Sequence, residues 1–299
     1  MLCVWRKKSG NATTRFWISK VSYTLVFFCF FLASCAETSE NQTTVAICCI
    51  FRDDAKYLPE WIEFPEKQGV SHFYLYNNLS TDNWKELLTS YVRSGLVEII
   101  DWPYEHVNGT DWNTIQCNAY MDGAKRAKGK YQWCAFLDSD EFLFAVDGSK
   151  LSDYLVQYKK SPGIMVNWIM YGTSHVPKVP DGEKMVNYLV FRAPLDYEHH
   201  RTYKSIGQPS EIKGCANPHW LIYHRDKKAV DENHIAKRPE EMKSVSVNKL
   251  RINHYWSRDM DFFYNVKLAR RSKWYDEYER TLKLESEMNA EYDPILADH

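Results

Sequence analysis

A chain of 299 residues with 38 basic and 39 acidic side chains has a formal net charge of −1, so no global field marks nucleic acid as a partner. Its hydrophobic content of 44% is that of a globular chain with a core. Aromatic residues are abundant, with 20 Tyr, 14 Phe and 11 Trp; most serve packing, but flat Tyr and Trp faces also suit sugar rings. The N-terminus reads as a targeting device. Arg6, Lys7, Lys8, Arg15 and Lys20 precede the apolar run Val21 to Ala36, which is short for a span and long for a strand. Two assignments fit: a signal-anchor with the basic side in the cytosol (Golgi-type in a eukaryote), or a bacterial lipoprotein signal in which Leu32-Ala33-Ser34-Cys35 is the lipobox and Cys35 carries the lipid. Either tethers the protein to a membrane, and residues 1–44 are set apart from the fold.

The cysteines outside that segment, Cys48, Cys49, Cys117, Cys134 and Cys215, form no evident framework, and no Cys-x-x-Cys pair suggests zinc. Sequons stand at Asn11, Asn41, Asn78 and Asn108.

From Val45 the chain alternates. Val45 to Phe51 reads as a buried strand, and "AKYLPEWIEFPEKQG" as a helix with Leu58, Trp61, Ile62 and Pro65 on one face. "VSHFYLYNN" is a second strand and "TDNWKELLTSYVRSG" a second helix, capped by Thr81 or Asp82. "LVEIIDWP" is a third strand, "NTIQCNAYMDGAKRAKG" a third helix, and "YQWCAFLDSDEF" a fourth strand. That alternation predicts an α/β fold built on a mostly parallel, doubly wound sheet flanked by helices. Strands in "GIMVNWIMYGTSH", "EKMVNYLVFRAP", "RTYKSIGQP", "HWLIYHRDKKAV" and "SVNKLRINHYW" give a more mixed second half, and 259–288 reads as a helical region lying across the surface. One domain over 45–280, with 281–299 as a charged C-terminal tail, is the predicted organisation.

Ligands of parallel sheets bind beyond the carboxyl ends of the strands. Arg52-Asp53-Asp54, Asn77-Asn78, Asp101 and Asp138-Ser139-Asp140 all fall at such ends. Within "CAFLDSDEFLF", strand alternation would put Asp138 and Asp140 on one side and Ser139 on the other. Two like charges that close call for a cation, and carboxylate oxygens suit Mg²⁺ or Mn²⁺ bridging to phosphate. A solvated acidic turn is the competing explanation, although the flanks are strongly apolar.

The blocks "FRDDAKYLPEWIEFPEKQGVSHFYLYNNLSTDN", "GLVEIIDWP", "QCNAYMDGAKRAKGKYQWCAFLDSDEFL", "KSIGQP" and "INHYW", in that order, resemble glycosyltransferase family 92, once called domain of unknown function 23, and its family-2-like relatives. The resemblance covers roughly residues 45–270. It implies a GT-A fold, a Rossmann-like nucleotide half joined to a mixed acceptor half. It also implies metal-dependent transfer of a hexose, galactose or a related sugar, from a UDP donor to a carbohydrate or other hydroxyl acceptor with inversion. Carried over by position, Asp138 and Asp140 become the Asp-x-Asp motif, with Asp140 on the metal and Asp138 on the ribose or a metal-bound water. His254 is the third protein contribution to the metal. Arg52, Asp54, Asn77, Asn78, Asp82, Gln116 and Asp122 fall on the nucleotide side, and Lys204 near the diphosphate. In "NWIMYGTSH" the family's second glycine is missing between Ser174 and His175. Glu183 and Glu211 are candidate bases in the acceptor half, and Glu141 braces the motif. Two other classes use similar residues: a carboxylate- or metal-dependent hydrolase, and a membrane-tethered, non-catalytic sugar-binding protein.

Overall fold

Val45–Phe51, strand β1, is apolar and buried at every position, as expected of a parallel strand covered on both faces. It lies between β2 (Val70–Asn77) and β4 (Trp133–Phe136), parallel to both, and β3 (Val97–Asp101) adds a further parallel strand beside β2. The crossovers carry α1 (Leu58–Lys67), α2 (Trp84–Arg93) and α3 (Gly109–Ala127). In α1 a proline sits in the first turn, where no amide partner is needed. Leu58, Trp61, Ile62, Phe64 and Pro65 form its buried face. These features belong to a computed structural model, which describes residues 43–105, 109–275 and 277–297. The expected membrane segment at 21–36 and the sequons at Asn11, Asn41 and Asn108 lie outside the described residues.

The second half continues the same sheet. Its strands are β5 (Glu141–Ala145), β6 (Gly163–Met170), β7 (Phe191–Arg192), β8 (Tyr203–Gly207), β9 (Ile212–Asn217), β10 (Trp220–Tyr223) and β11 (Leu250–His254), with a short α4 (Leu151–Tyr154) after β5. Among the described residues the main sheet has eight strands in the order β3-β2-β1-β4-β8-β6-β11-β5. Pairing is parallel from β3 to β4, antiparallel through β8, parallel between β6 and β11, and antiparallel at β5. This is the α/β architecture with a Rossmann-like half and a mixed half. β9 and β10 form a separate hairpin.

Four local expectations are corrected. The fourth strand is not continuous: it breaks after Phe136 into a turn, closed by Glu141 N–H donating to the Asp138 carbonyl, and resumes as β5. The pleat therefore does not govern where Asp138, Ser139 and Asp140 point. Neither Thr81 nor Asp82 caps α2, whose cap position is Asn83. The strand expected in "EKMVNYLVFRAP" shrinks to β7, after a 3₁₀ turn at Met185–Asn187.

The fourth correction concerns the C-terminus, which is not a free tail. After Met260–Phe262 (α5), a π-helical turn Phe263–Leu268, Ala269–Tyr275 (α6) and Tyr278–Glu287 (α7), strand β12 (Glu291–Tyr292) pairs with β7. Asp293 accepts from Arg192 Nε at 2.7 Å and Arg251 Nη2 at 2.8 Å, and Leu296 is buried. The same segment answers the missing glycine at Ser174-His175. Both residues have left-handed backbones, φ 51° and 58°, a conformation side chains disfavour. Asn289 Oδ1 accepts from Ser174 N–H at 2.7 Å, and Glu285 Oε1 from the Thr173 hydroxyl at 2.7 Å, which holds the loop there. Among the described residues no helix is long and apolar enough to cross a membrane.

Candidate active site

A cleft of about 310 Å³ opens at the carboxyl ends of β1, β4 and β11, where the parallel topology places ligands. Its floor is Arg52, Asp54, Asp138, Ser139, Asp140 and His254. Gln116 and Trp112 of α3 form one wall, and Pro218 and His219, between β9 and β10, another. The C-terminal helices supply Lys267, Arg270 and Arg271, and Arg258 stands before them.

Asp138 is neutralised from below. Lys204, fully buried, places Nζ 3.0 Å from Asp138 Oδ2 and 3.6 Å from Glu141 Oε2. Gln116 Nε2 donates to Asp138 Oδ1 at 2.5 Å, and the Tyr120 hydroxyl to the same atom at 3.2 Å. Burial would raise the Asp138 pKa, but Lys204 outweighs it and holds the carboxyl below its usual range. Glu141 goes the other way: burial first, then Asp138 and Asp140, push it well up despite Lys204. The buried cation thus sits between two carboxyls whose pKa values are driven in opposite directions. Glu141 also accepts the Asp138 N–H at 2.8 Å, which braces the turn. Removing the charge from the buried Lys204 leaves Asp138, a third exposed, without its cation, so Lys204→Met is expected to lose about 2–3 kcal/mol of stability. Urea unfolding reads this directly, and a loss under about 1 kcal/mol would refute the pairing.

Asp140 has separate partners. His254 Nε2 lies 3.3 Å from Oδ1, and Lys267 Nζ 3.5 Å from Oδ2. Burial disfavours the Asp140 anion, yet His254, Lys267 and Arg258 together pull its pKa far below the ordinary value. Lys267 moves down to about 8, because burial and the neighbouring arginines outweigh its attraction to Asp140. The repulsion expected between the two aspartates is thus offset by different protein cations. Among the described residues no group of three His, Cys, Asp or Glu side chains is placed to hold a metal ion. Asp138 is held by closer contacts, from Lys204, Gln116 and Tyr120, than Asp140 is by His254 and Lys267. Asp140 Oδ1 and His254 Nε2 do face each other across the spacing of neighbouring donors on one ion, and both line the open cleft. An oxygen and an imidazole fit a Mn²⁺ or Mg²⁺ ion that takes its other ligands from water and phosphate.

Of the expected residues, the cleft gathers Arg52, Asp54, Gln116, Asp138, Asp140 and His254. Arg52 has no hydrogen-bond or ion-pair partner among the described residues. Asp54 lines the cleft but is engaged: Oδ1 accepts from Arg258 Nη1 at 2.6 Å and Oδ2 from the Ser139 hydroxyl at 2.8 Å. The others are elsewhere. Asn77 Oδ1 accepts from Ser80 N–H in the turn after β2. Asn78 is fully buried, its amide donating to the Trp102 and Tyr104 carbonyls at 2.8 Å, so it reaches neither a nucleotide nor a glycosylating enzyme. Asp82 accepts from Ala55 N–H at 2.8 Å and ties two loops together. Asp122 is spent on the Tyr76 hydroxyl and Arg126. Lys204 lies beneath the floor. Glu183 is exposed in a turn, and Glu211 pairs with Lys227 at 2.9 Å, both away from the cleft.

Several lining residues escaped the sequence reading. Arg258 is buried with a left-handed backbone, φ 53°, and its guanidinium lies 3.9 Å from the Tyr57 ring centre and 4.4 Å from that of Phe262. Its one signal was adjacency to "INHYW". Trp112, Trp168 and Trp256 turn aromatic surface toward the cleft. His219 follows Pro218 at the hairpin tip, in a stretch with no apolar period. Its Nδ1 lies 3.1 Å from the Tyr203 carbonyl, which can only accept, so Nδ1 carries the proton and Nε2 the lone pair. Nε2 has no hydrogen-bond partner among the described residues. Burial, then Lys204, lowers the His219 pKa to about 4, keeping the ring neutral. Trp168 stands between the two imidazoles, its ring centre 5.1 Å from that of His219 and 4.4 Å from that of His254.

Comparison with known proteins agrees with these features. A glycosyltransferase family 92 protein of Oryza sativa subsp. japonica is 28% identical over 244 residues, 78% of this chain and 37% of the relative. One from Ricinus communis is 26% identical over 178 residues, 58% of this chain and 30% of the relative. The chain thus spans about a third of the length of the curated relatives it matches. Among solved structures, S. aureus TarS 1-349 in complex with UDP-GlcNAc aligns over 82% of this chain and 71% of that one, at 10% identity and a TM-score of 0.41. The model of the family described as Glycosyltransferase family 92 matches residues 41–297. With cleft, blocks and match covering the same stretch, the chain belongs to glycosyltransferase family 92.

Proposed function

We propose that this protein is a glycosyltransferase that moves a hexose, galactose or a close relative, from a UDP donor to a carbohydrate hydroxyl with inversion. The observation that supports this most is the pairing of Asp140 and His254 with a wall of Arg52, Arg258, Lys267, Arg270 and Arg271 in one cleft. Such a wall suits a diphosphate, and Trp112, Trp168 and Trp256 offer faces for base or sugar rings. A Mn²⁺ or Mg²⁺ ion held by Asp140 and His254 would offset the charge that develops on the departing UDP. Asp138, fixed by Gln116, Tyr120 and Lys204, presents its edge to the ribose. Arg52 and Lys267 neutralise phosphate oxygens.

His219 is the base in this reading. The acceptor oxygen forms its bond to the anomeric carbon as the bond from that carbon to the UDP oxygen breaks, and His219 Nε2 takes the acceptor's proton. Glu183 and Glu211 have no part in it. Replacing either with glutamine is expected to leave UDP release within about two-fold of the parent; a hundred-fold loss in either would return the base to the acceptor-half carboxylates.

The direct test is calorimetry with UDP, with and without Mn²⁺, followed by a panel of UDP-sugars assayed for UDP release with and without sugar acceptors. Failure to bind UDP in the presence of either ion would remove the transferase reading. The rival is a metal-free sugar- or nucleotide-binding protein on the same scaffold, favoured by Lys267 standing 3.5 Å from Asp140. UDP binding that ignores Mn²⁺, with no turnover, would select it; cleavage of glycosides without nucleotide would select a hydrolase. Residues 21–36 are the proposed membrane tether, as a signal-anchor or through a lipid on Cys35. Mapping the mature N-terminus separates these two.

A further inference from the structure

Cys117, on α3, and Cys215, on β9, bring their sulfur atoms to 2.8 Å, across 98 positions of sequence. The other described cysteines contrast with them. Cys48, Cys49 and Cys134 are fully buried, and burial pushes their thiols up, which leaves them inert. Cys117 and Cys215 are only partly buried. The one S–H of Cys215 faces both Cys117 Sγ at 2.8 Å and the Asn217 carbonyl at 3.1 Å, and the contact with Cys117, aided by Lys204, lowers the Cys117 thiol.

The two residues sit on different elements of one core: Ile212, Leu221 and Tyr223 of the hairpin share a buried cluster with Ala119 and Tyr120 of α3. α3 carries Trp112 and Gln116 into one wall of the cleft, and the β9–β10 hairpin carries Pro218 and His219 into another. Among the described residues the hairpin has no strand pairing with the main sheet. At its tip the Ser205 hydroxyl donates to the His219 carbonyl at 2.8 Å, the His219 ring donates to the Tyr203 carbonyl, and that ring meets Trp168 at 5.1 Å between centres.

We propose that Cys117 and Cys215 are a disulfide-forming pair that fastens the hairpin to α3, and so fixes the two walls of the cleft to each other. The oxidant is a thiol–disulfide couple of the glutathione class. Cys117 thiolate attacks oxidised glutathione and releases one glutathione thiol. Cys215 then displaces the second from the mixed disulfide, so two thiol protons and two electrons leave the protein and one S–S bond forms. Little movement is needed, since the sulfurs already face each other and a bond brings them to about 2.0 Å.

The test needs no donor sugar and therefore stands apart from the proposed activity. The full chain is incubated with oxidised glutathione or with a phosphine reductant, blocked with N-ethylmaleimide, digested and analysed by mass. The expected result is a peptide pair linked through Cys117 and Cys215 in the oxidised sample. It should come with a Tm about 5–10 °C above the reduced protein and slower amide exchange across 212–223. Cys117→Ser and Cys215→Ser should each abolish the link and the Tm difference. Recovery of both cysteines alkylated, or each only as a glutathione adduct, overturns the pair. A link that leaves Tm and hairpin exchange unchanged overturns the clamp. Because parent protein is compared in two redox states, a variant that fails to fold does not blur the result.

Discussion

Asp140→Asn is expected to remove the Mn²⁺ dependence of UDP binding and to weaken UDP in the presence of the ion by about 100-fold or more. Asparagine keeps the side chain's shape and its place between His254 and Lys267, so the change is one of charge and ligand quality. In the parent, Lys267 and Arg258, with the His254 ring 3.3 Å away, hold this carboxylate ionised. Without that charge, a divalent ion would meet an imidazole, a neutral amide and two nearby ammonium and guanidinium groups, and electrostatics alone would expel it. Calorimetry with UDP at fixed Mn²⁺ makes the measurement, with near-ultraviolet circular dichroism as the folding check. Equal Mn²⁺ enhancement in parent and variant would show that the ion, if bound, sits elsewhere.

His219→Gln carries the second large effect. Loss of a positioned base lowers turnover by about 10²–10⁴-fold, while UDP affinity with Mn²⁺ should stay near the parent's, because His219 is separated from His254 by Trp168. The pH profile adds a stricter demand. A histidine at its ordinary pKa of 6.5 would lose activity as pH falls through 6.5, but this ring is lowered to about 4. Protonation removes the lone pair, so the acid limb of the parent should lie near pH 4 and activity should hold between pH 7 and 5. An acid limb near 6.5 would assign the base to another group. Partial rescue of the variant by added imidazole would separate a chemical role from a structural one.

The Rossmann-like half was open to sequence reading because each of its elements obeys a single period. β1 is apolar throughout, α1 repeats at helical spacing, and the polar residues that follow β1 and β4 mark the ligand edge. The same logic over-reached at β2. Asn77 and Asn78 sit at a strand end as Arg52 does, yet Asn78 turns inward to satisfy two carbonyls, and sequence alone does not separate a polar group that serves the backbone from one that serves a ligand. Asp122 failed for a related reason: it shares α3 with Gln116 but points to Arg126 rather than to the cleft. Arg258, Lys267 and His219 were missed because they arrive from late loops and helices with no periodic pattern, and their role exists only once distant segments meet. Lys204 was placed near the phosphates from a motif block, whereas it spends its charge beneath the floor on Asp138.

The strand order has a consequence during synthesis. Among the described residues β5 pairs with β11 alone, which is made about a hundred residues later. At ribosomal speeds of about 5–20 residues per second, β5 waits on the order of 5–20 s for its partner. Throughout that interval Phe142, Leu143 and Phe144 form an apolar ribbon with both edges open, the kind of segment that chaperones bind and aggregates recruit. The nascent chain is thus most vulnerable just after its acidic turn has emerged. Slowing translation between residues 145 and 250 should lower the yield of folded protein more than an equal pause before residue 133.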